Sequence, residues 1–272
     1  MTLISNLSPS DYADLQGAVA KLETESLAMK IASKVGMPVE ALLRRLPGPA
    51  QSAIHRSVDK ALAQCLRIAV KVHTSRLPAG NYKRSHSAAT AITGAVGGFF
   101  GLPGLLVELP ITTTVMLHSI VEIARSQGED FSSPEASLAC LEVFALGPQN
   151  TPRGMDESAY YATRTALAQV TREAVAYVTQ KGVAKETAPA LLSFIGRIAS
   201  RFGLEVSEKV AAELVPIAGA VGGLTLNLLF TQHFQNIAEG HFVIRRLERK
   251  YGTETVRRDY ERVRSLLSNL IA

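Results

Sequence analysis

Two long stretches of this chain carry almost no charge, and this limits the possible folds more than any other feature. Between Arg84 and Glu122 the only Asp, Glu, Lys or Arg is Glu108, and Ala88 to Val107 has none. Leu214 to Gln232 is likewise uncharged. Both stretches contain Gly-Ala-Val-Gly-Gly, beginning at Gly94 and at Gly219. The glycines pair at a spacing of four: Gly94 with Gly98, Gly97 with Gly101, and Gly219 with Gly223. Small residues at that spacing leave a flat groove on a helix, into which a second helix packs closely in water or in a membrane. A phosphate loop does not fit. It needs a lysine and Ser or Thr directly after its glycines, and a dinucleotide fingerprint needs a preceding strand.

Ala88 to Val107 has roughly the length of a membrane span. Pro103 and the glycines make it a weak one, because each glycine costs a helix about 1 kcal/mol against alanine. Two arrangements therefore stay open: buried helices of a soluble bundle, or helices in close association with a membrane.

The remainder reads as helix. Ser10 or Asp11 is placed to cap a helix running to about Lys34. Breaks follow at Gly36-Met37-Pro38 and at Leu46-Pro47-Gly48-Pro49. A further helix is expected from Ala50 to Arg76. Ser132 stands three residues before Glu135, with Pro134 near the first turn, as a capping box requires. Gly147 to Gly154 reads as a loop. Tyr160, Leu167, Val170, Ala174 and Tyr177 share one helical face, as do Val256, Tyr260, Val263, Leu267 and Leu270. No window alternates with period two as a half-buried strand does. The chain of 272 residues is long enough to bury a real core. The expected fold is all-α, one large domain of about eight to ten helices, with the glycine-rich segments as long central helices and a possible pseudo-symmetric pair. Residues 1–79 are expected to pack as an N-terminal helical segment on a core built from residues 80–272.

Candidate chemistry sits beside the uncharged stretches. His118 and Glu122 are four apart on one helix face. Asn227, His233 and His241 follow the second glycine-rich segment. Aligning the two segments puts Glu108 opposite His233. A symmetric pair of helices would then gather Glu108, His118, Glu122, Asn227, His233 and His241 in one polar pocket, since a lone buried carboxylate needs a partner. His233 and His241 are too far apart in register to form a zincin pair, so a metal would need ligands from both segments. The metal and any other cofactor are left open. Cys65 and Cys140 lie in apolar helical patterns with no neighbouring cysteine, as small core residues of a protein from a reducing compartment do. No nucleophile elbow is present.

The net charge of +5 is uneven. Arg245, Arg246, Arg249 and Lys250 cluster on an expected helix and suit an anionic surface or phosphate groups. Nucleic acid is not an expected partner, because no helix-turn-helix or zinc-finger spacing occurs. The opening residues lack the basic start and apolar run of a secretory leader.

The stretch Val215 to Gly252, VPIAGAVGGLTLNLLFTQHFQNIAEGHFVIRRLERKYG, resembles the EcsC protein family. So do GLPGLLVELP, HSIVEIARSQGED, LEVFALG and RFGLEVSEKVAAELVP, and together these pieces cover roughly residues 80 to 252. Glu108 stands where the family more usually carries Asp, a change that keeps the carboxylate. The resemblance implies a helical fold and a link to transport systems, since the family is named from a gene beside an ABC-transporter pair. It supplies no catalytic residues. Together with the uncharged segments, it leads to the expectation of a non-catalytic cytoplasmic protein, peripheral on the inner face of the membrane, with lipid or a transport protein as partner. The alternative is an enzyme, with or without a metal, whose site lies between the two glycine-rich segments.

Overall fold

The computed structural model describes residues 6–23, 26–74, 101–148, 158–181, 188–213 and 222–271. Among them are ten α-helices: α1 (Pro9–Glu23), α2 (Leu27–Val35), α3 (Val39–Leu43), α4 (Gly48–Thr74), α5 (Gly101–Ser126), α6 (Pro134–Glu142), α7 (Ala159–Lys181), α8 (Pro189–Glu213), α9 (Gly222–Tyr251) and α10 (Thr253–Ile271). A 3-10 turn, Val143–Ala145, follows α6. No strand occurs among the described residues, and the helices form one helical domain. None of these helices is long and apolar enough to cross a membrane.

Local chemistry sets most boundaries, sometimes at residues other than those expected. α1 begins two to three residues early, at Pro9, because Ser8 caps it. The Ser8 hydroxyl accepts from Asp11 N at 3.2 Å and donates to the Asp11 carboxylate at 2.9 Å. The single helix expected to reach Lys34 is two helices. Ser26 takes an extended conformation and its hydroxyl caps α2 at Met29 N, which restarts the chain in a new direction. Gly36, at φ 72°, closes α2 through a bond to Ala32 O. Ser133, not Ser132, caps α6. The residue before a proline is pushed to extended geometry, so Pro134 fixes Ser133 as the cap, while Ser132 bonds to Asp130. Pro110 sits inside α5.

α9 organises the bundle. It runs parallel to α5, as two cross-links of constant register show: Gln235 to Ser119 at 2.9 Å and Arg245 to Glu129 at 2.9 Å. α1 runs antiparallel along another face of α9. Lys21 pairs with Glu239, Asp14 with Arg246 at 2.6 Å and Asp11 with Lys250 at 2.7 Å. The two helices meet at Gly240, where a Cβ would lie 2.7 Å from Leu22 Cγ and 3.1 Å from the Ala18 carbonyl. Gly240 is thus a glycine that admits a close helix approach. Of the glycines expected in that role, Gly94, Gly98 and Gly219 lie outside the described residues, and Gly223 falls in the first turn of α9.

Phe144, Phe202, Phe230 and Phe234 pack ring to ring at the centre, with centroids 5.0–6.0 Å apart, joining the 3-10 turn, α8 and α9. Most of the two helical faces read from sequence is buried, while Val170, Tyr177 and Leu267 are partly buried at their edges. Tyr160, Leu167 and Ala174 on α7 and Val256, Tyr260 and Val263 on α10 are all at or below 4% exposure. Cys65 and Cys140 are buried and free.

Because α5 and α9 are parallel, their starts lie at one end of the bundle. α8 ends at the same place. Lys209, one turn from its terminus, stacks 5.4 Å over Phe230 of α9 and exerts its charge on Glu108 of α5. Both glycine-rich segments therefore join the described fold at one end.

Candidate functional site

α8 carries a ladder of alternating charge at helical spacing: Arg201, Glu205, Lys209 and Glu213. On an exposed helix such a run is an ordinary solvated face. Here the side chains of Glu205, Lys209 and Glu213 are only 4–6% exposed, with Phe230 of α9 against Lys209 and His233 of α9 beside Glu205. Arg201 Nε lies 3.4 Å from Glu205, and Lys209 Nζ lies 3.3 Å from Glu213. Removing an ion from water costs several kcal/mol, so a buried ladder survives only through such pairing.

Glu108 enters this ladder from α5. Thr112, one turn on, donates to its carboxylate at 3.1 Å. Burial raises the Glu108 carboxyl above its usual range, while Lys209 and the Thr112 bond pull it back. Burial likewise raises Glu213, and Lys209 opposes that rise. The Lys209 ammonium thus acts on two carboxyl groups, ion-paired with Glu213 and at longer range on Glu108. One oxygen of each, Glu108 Oε2 and Glu213 Oε2, is buried without a hydrogen-bond partner.

His233 meets the ladder at a different point. Its Nε2 lies 3.8 Å from Glu205 Oε2, with both side chains nearly fully buried. At that separation neither atom is hydrogen-bonded. Next to this pair Glu208 lines a cavity of about 100 Å³, with Ser26, Arg201 and Glu205 on its wall. Burial first, and the Glu205 charge second, push the Glu208 carboxyl up to about 7.

The Glu208 shift has a measurable consequence. A carboxyl raised in the fold binds a proton that the unfolded chain releases near pH 4.5. Stability therefore falls as pH rises from that value to about 7. Glu208→Gln removes the titration. In urea melts across pH 5 to 8 the variant should lose less stability than the parent, and equal slopes would refute this account.

The six residues expected in one pocket are separated. Glu108 lies beside Lys209 and Thr112, and His233 beside Glu205. At 1.5 Å per residue, Glu108 is about 16 Å ahead of Ser119 along α5, whereas His233 is only about 3 Å ahead of Gln235 on α9. Since Ser119 and Gln235 touch, Glu108 and His233 are offset by about 13 Å along the bundle. Parallel packing in this register does not align the two glycine-rich copies, so the expected juxtaposition is corrected. His118 is exposed, with Nδ1 2.8 Å from Thr114 O in its own helix. Glu122 is half-buried on α5, and Asn227 is fully buried on α9. His241 belongs to a third place. Its Nδ1 lies 2.9 Å from the Tyr160 hydroxyl, near Arg164, which grips Glu248 through two bonds of 2.8 and 2.9 Å. Burial, reinforced by Arg164 and Arg245, holds His241 well below its usual pKa and so neutral.

The four cations expected at an anionic surface are paired within the fold. Arg245 makes a two-pronged contact with Glu129, and Arg249 bonds the same carboxylate and Gln127 O. Arg246 and Lys250 bond Asp14 and Asp11. The basic excess of this stretch is met by acids distant in sequence.

Among the described residues no three His, Cys, Asp or Glu side chains are grouped as a metal site requires. Burial pushes the Cys65 thiol up to about 12 and Cys140 higher still, so neither is a ready thiolate. Arg201, Glu205, Glu208, Lys209 and Glu213 escaped the sequence reading. For all but Glu208 the signal was the four-residue alternation of charge inside RFGLEVSEKVAAE, which alone does not distinguish a solvated face from a buried one.

No curated protein and no solved structure matches the chain. The model of the EcsC protein family matches residues 13–247. The match takes in most of α1 and ends inside α9, including the charged ladder of α8, the Glu108 turn of α5 and His233. By that match over most of its length, the chain belongs to the EcsC protein family.

Proposed function

We propose that this protein acts without catalysis at a membrane surface, with the end of the bundle that bears the glycine-rich segments turned toward the lipid. The observation that carries this reading is the common attachment of the two segments. One enters the fold at Gly101, and the other links Glu213 to Gly222, at the same end. The uncharged stretches Ala88 to Val107 and Leu214 to Gln232 are thereby both joined to one end of a charged molecule. We place the protein on the inner face of the cell membrane, as an accessory of a transport system.

The attraction is apolar rather than electrostatic in this reading. A basic residue near an anionic surface contributes about 1 kcal/mol, but Arg245, Arg246, Arg249 and Lys250 already hold carboxylates. Flotation with neutral and with anionic vesicles tests it. The protein should rise with both, at low and at high salt, and Val96→Asp with Val221→Asp should abolish the effect. Recovery in the soluble fraction with every vesicle would refute it.

The second reading is an enzyme whose site includes the buried Glu205–His233 pair, favoured by the unsatisfied oxygen and nitrogen that face each other there. Stoichiometric zinc, iron or manganese in the purified protein, lost in His233→Ala, would replace the first reading with this one.

A further inference from the structure

We propose that the cavity between α2 and α9 is a binding site for a phosphate group, with His233 at its inner wall. The cavity measures about 260 Å³. That is below the range of about 300–1,000 Å³ usual for drug-sized ligands and suits a small polyatomic ion. Its polar lining consists of Lys30, Ser33 and Lys34 from α2 and Gln232, His233 and Asn236 from α9. Every one of these side chains can donate a hydrogen bond, and no carboxylate lines the space.

Three observations point to an anion there. Lys30 and Lys34 stand one helical turn apart on α2, so both ammonium groups serve the same opening. Among the described residues neither is paired with a carboxylate, in contrast to the four cations of α9. The third is His233, a polar side chain only 3% exposed that lines the cavity, with its unpaired Nε2 facing Glu205 behind the wall.

The geometry behind the cavity makes sense of that unpaired atom. Glu205 Oε2, also without a partner, waits 3.8 Å from Nε2. An anion against the cavity face of the ring leaves Nε2 to donate to Glu205, and a closure of roughly 1 Å brings the two atoms to hydrogen-bond length. Several donors converging on one small space favour a tetrahedral oxyanion over chloride. The phosphate can come from solution, as inorganic phosphate or a phosphomonoester, or from a phospholipid headgroup.

The test follows the ring C–H resonances of His233 during titration with inorganic phosphate at constant ionic strength, with sodium chloride as the control. A parallel titration uses phosphatidylcholine vesicles with and without phosphatidic acid. Saturable movement with phosphate, and none with chloride, is the expected result for a free ion. Movement with phosphatidic acid alone assigns the same site to a headgroup. In either case Lys30→Gln with Lys34→Gln should weaken binding by about tenfold or more while circular dichroism stays unchanged. No saturable movement with either probe, or binding unaltered in the double variant, overturns the proposal. Flotation on neutral vesicles does not depend on these lysines, so its outcome is separate.

Discussion

Glu129→Leu should lower the stability of the bundle by about 3–5 kcal/mol, the usual cost of stranding a buried charge. Glu129 has a side chain only 3% exposed, in the turn between α5 and α6. Arg245 holds it with two bonds of 2.9 Å, and Arg249 bonds the same carboxylate. Without that carboxylate the Arg245 guanidinium, 18% exposed, keeps its desolvation and loses its principal partner. Glu135, 3.8 Å away and itself 62% exposed, is too distant and too solvated to replace it. The shift of the carboxyl gives a second readout. Burial alone would raise Glu129, but the two guanidiniums outweigh it and hold the group below its usual range. A depressed carboxylate contributes stability that is complete above the unfolded value near 4.5 and is lost as pH falls through the folded one. The parent should therefore lose stability below pH 4.5 more steeply than Glu129→Leu. Urea melts at pH 7 and pH 3 measure both effects. A loss under 1 kcal/mol at pH 7 would show that the cluster is an ordinary surface contact.

The second large effect is expected at Gly240. Leucine there should cost roughly 1–3 kcal/mol or more by overpacking. A Cβ already falls 2.7 Å from Leu22 Cγ and 3.1 Å from a backbone oxygen, so α1 must move away from α9. That displacement loosens the ion pairs of Lys21, Asp14 and Asp11 with Glu239, Arg246 and Lys250. Alanine should do less harm, since its gain of about 1 kcal/mol in helix propensity opposes the clash. Combining Gly240→Leu with Leu22→Ala tests the cause. The second change removes the side chain in the way, so the pair should be less destabilising than the sum of the two. Strict additivity would place the damage elsewhere.

Helical content and the identity of the core faces were legible in the linear order of residues. A helix bonds to itself across four residues, so its period and its caps are written locally. This is why Val256, Tyr260 and Val263 were read as one buried face. Caps were less certain where two candidates stood side by side, as at Ser132 and Ser133, and there the proline decided. The close helix approach at Gly240 carried no such local mark. Gly240 is a single glycine among polar neighbours, whereas the repeated pentapeptides drew attention because they are repeated.

The candidate site shows the same division more sharply. The types of residue that sequence singled out, Glu108 and His233, are buried and charged or polar as expected. Their partners are not those that an alignment of the two glycine-rich copies proposed. α5 and α9 pack in a register set by Ser119 with Gln235 and Glu129 with Arg245, which sends Glu108 to Lys209 and His233 to Glu205. The basic run of α9 was read correctly as charge and incompletely as surface. Its neutralising acids, Asp11, Asp14 and Glu129, lie more than one hundred residues away in the chain. Local order thus determined which segments are helices and which faces are apolar, because those depend on neighbours three and four residues apart. Only the tertiary structure decided which charges are consumed within the fold and which, such as Lys30 and Lys34, are not paired with a carboxylate among the described residues. A charge is satisfied by whatever lies within a few ångströms of it, and distance along the chain does not enter.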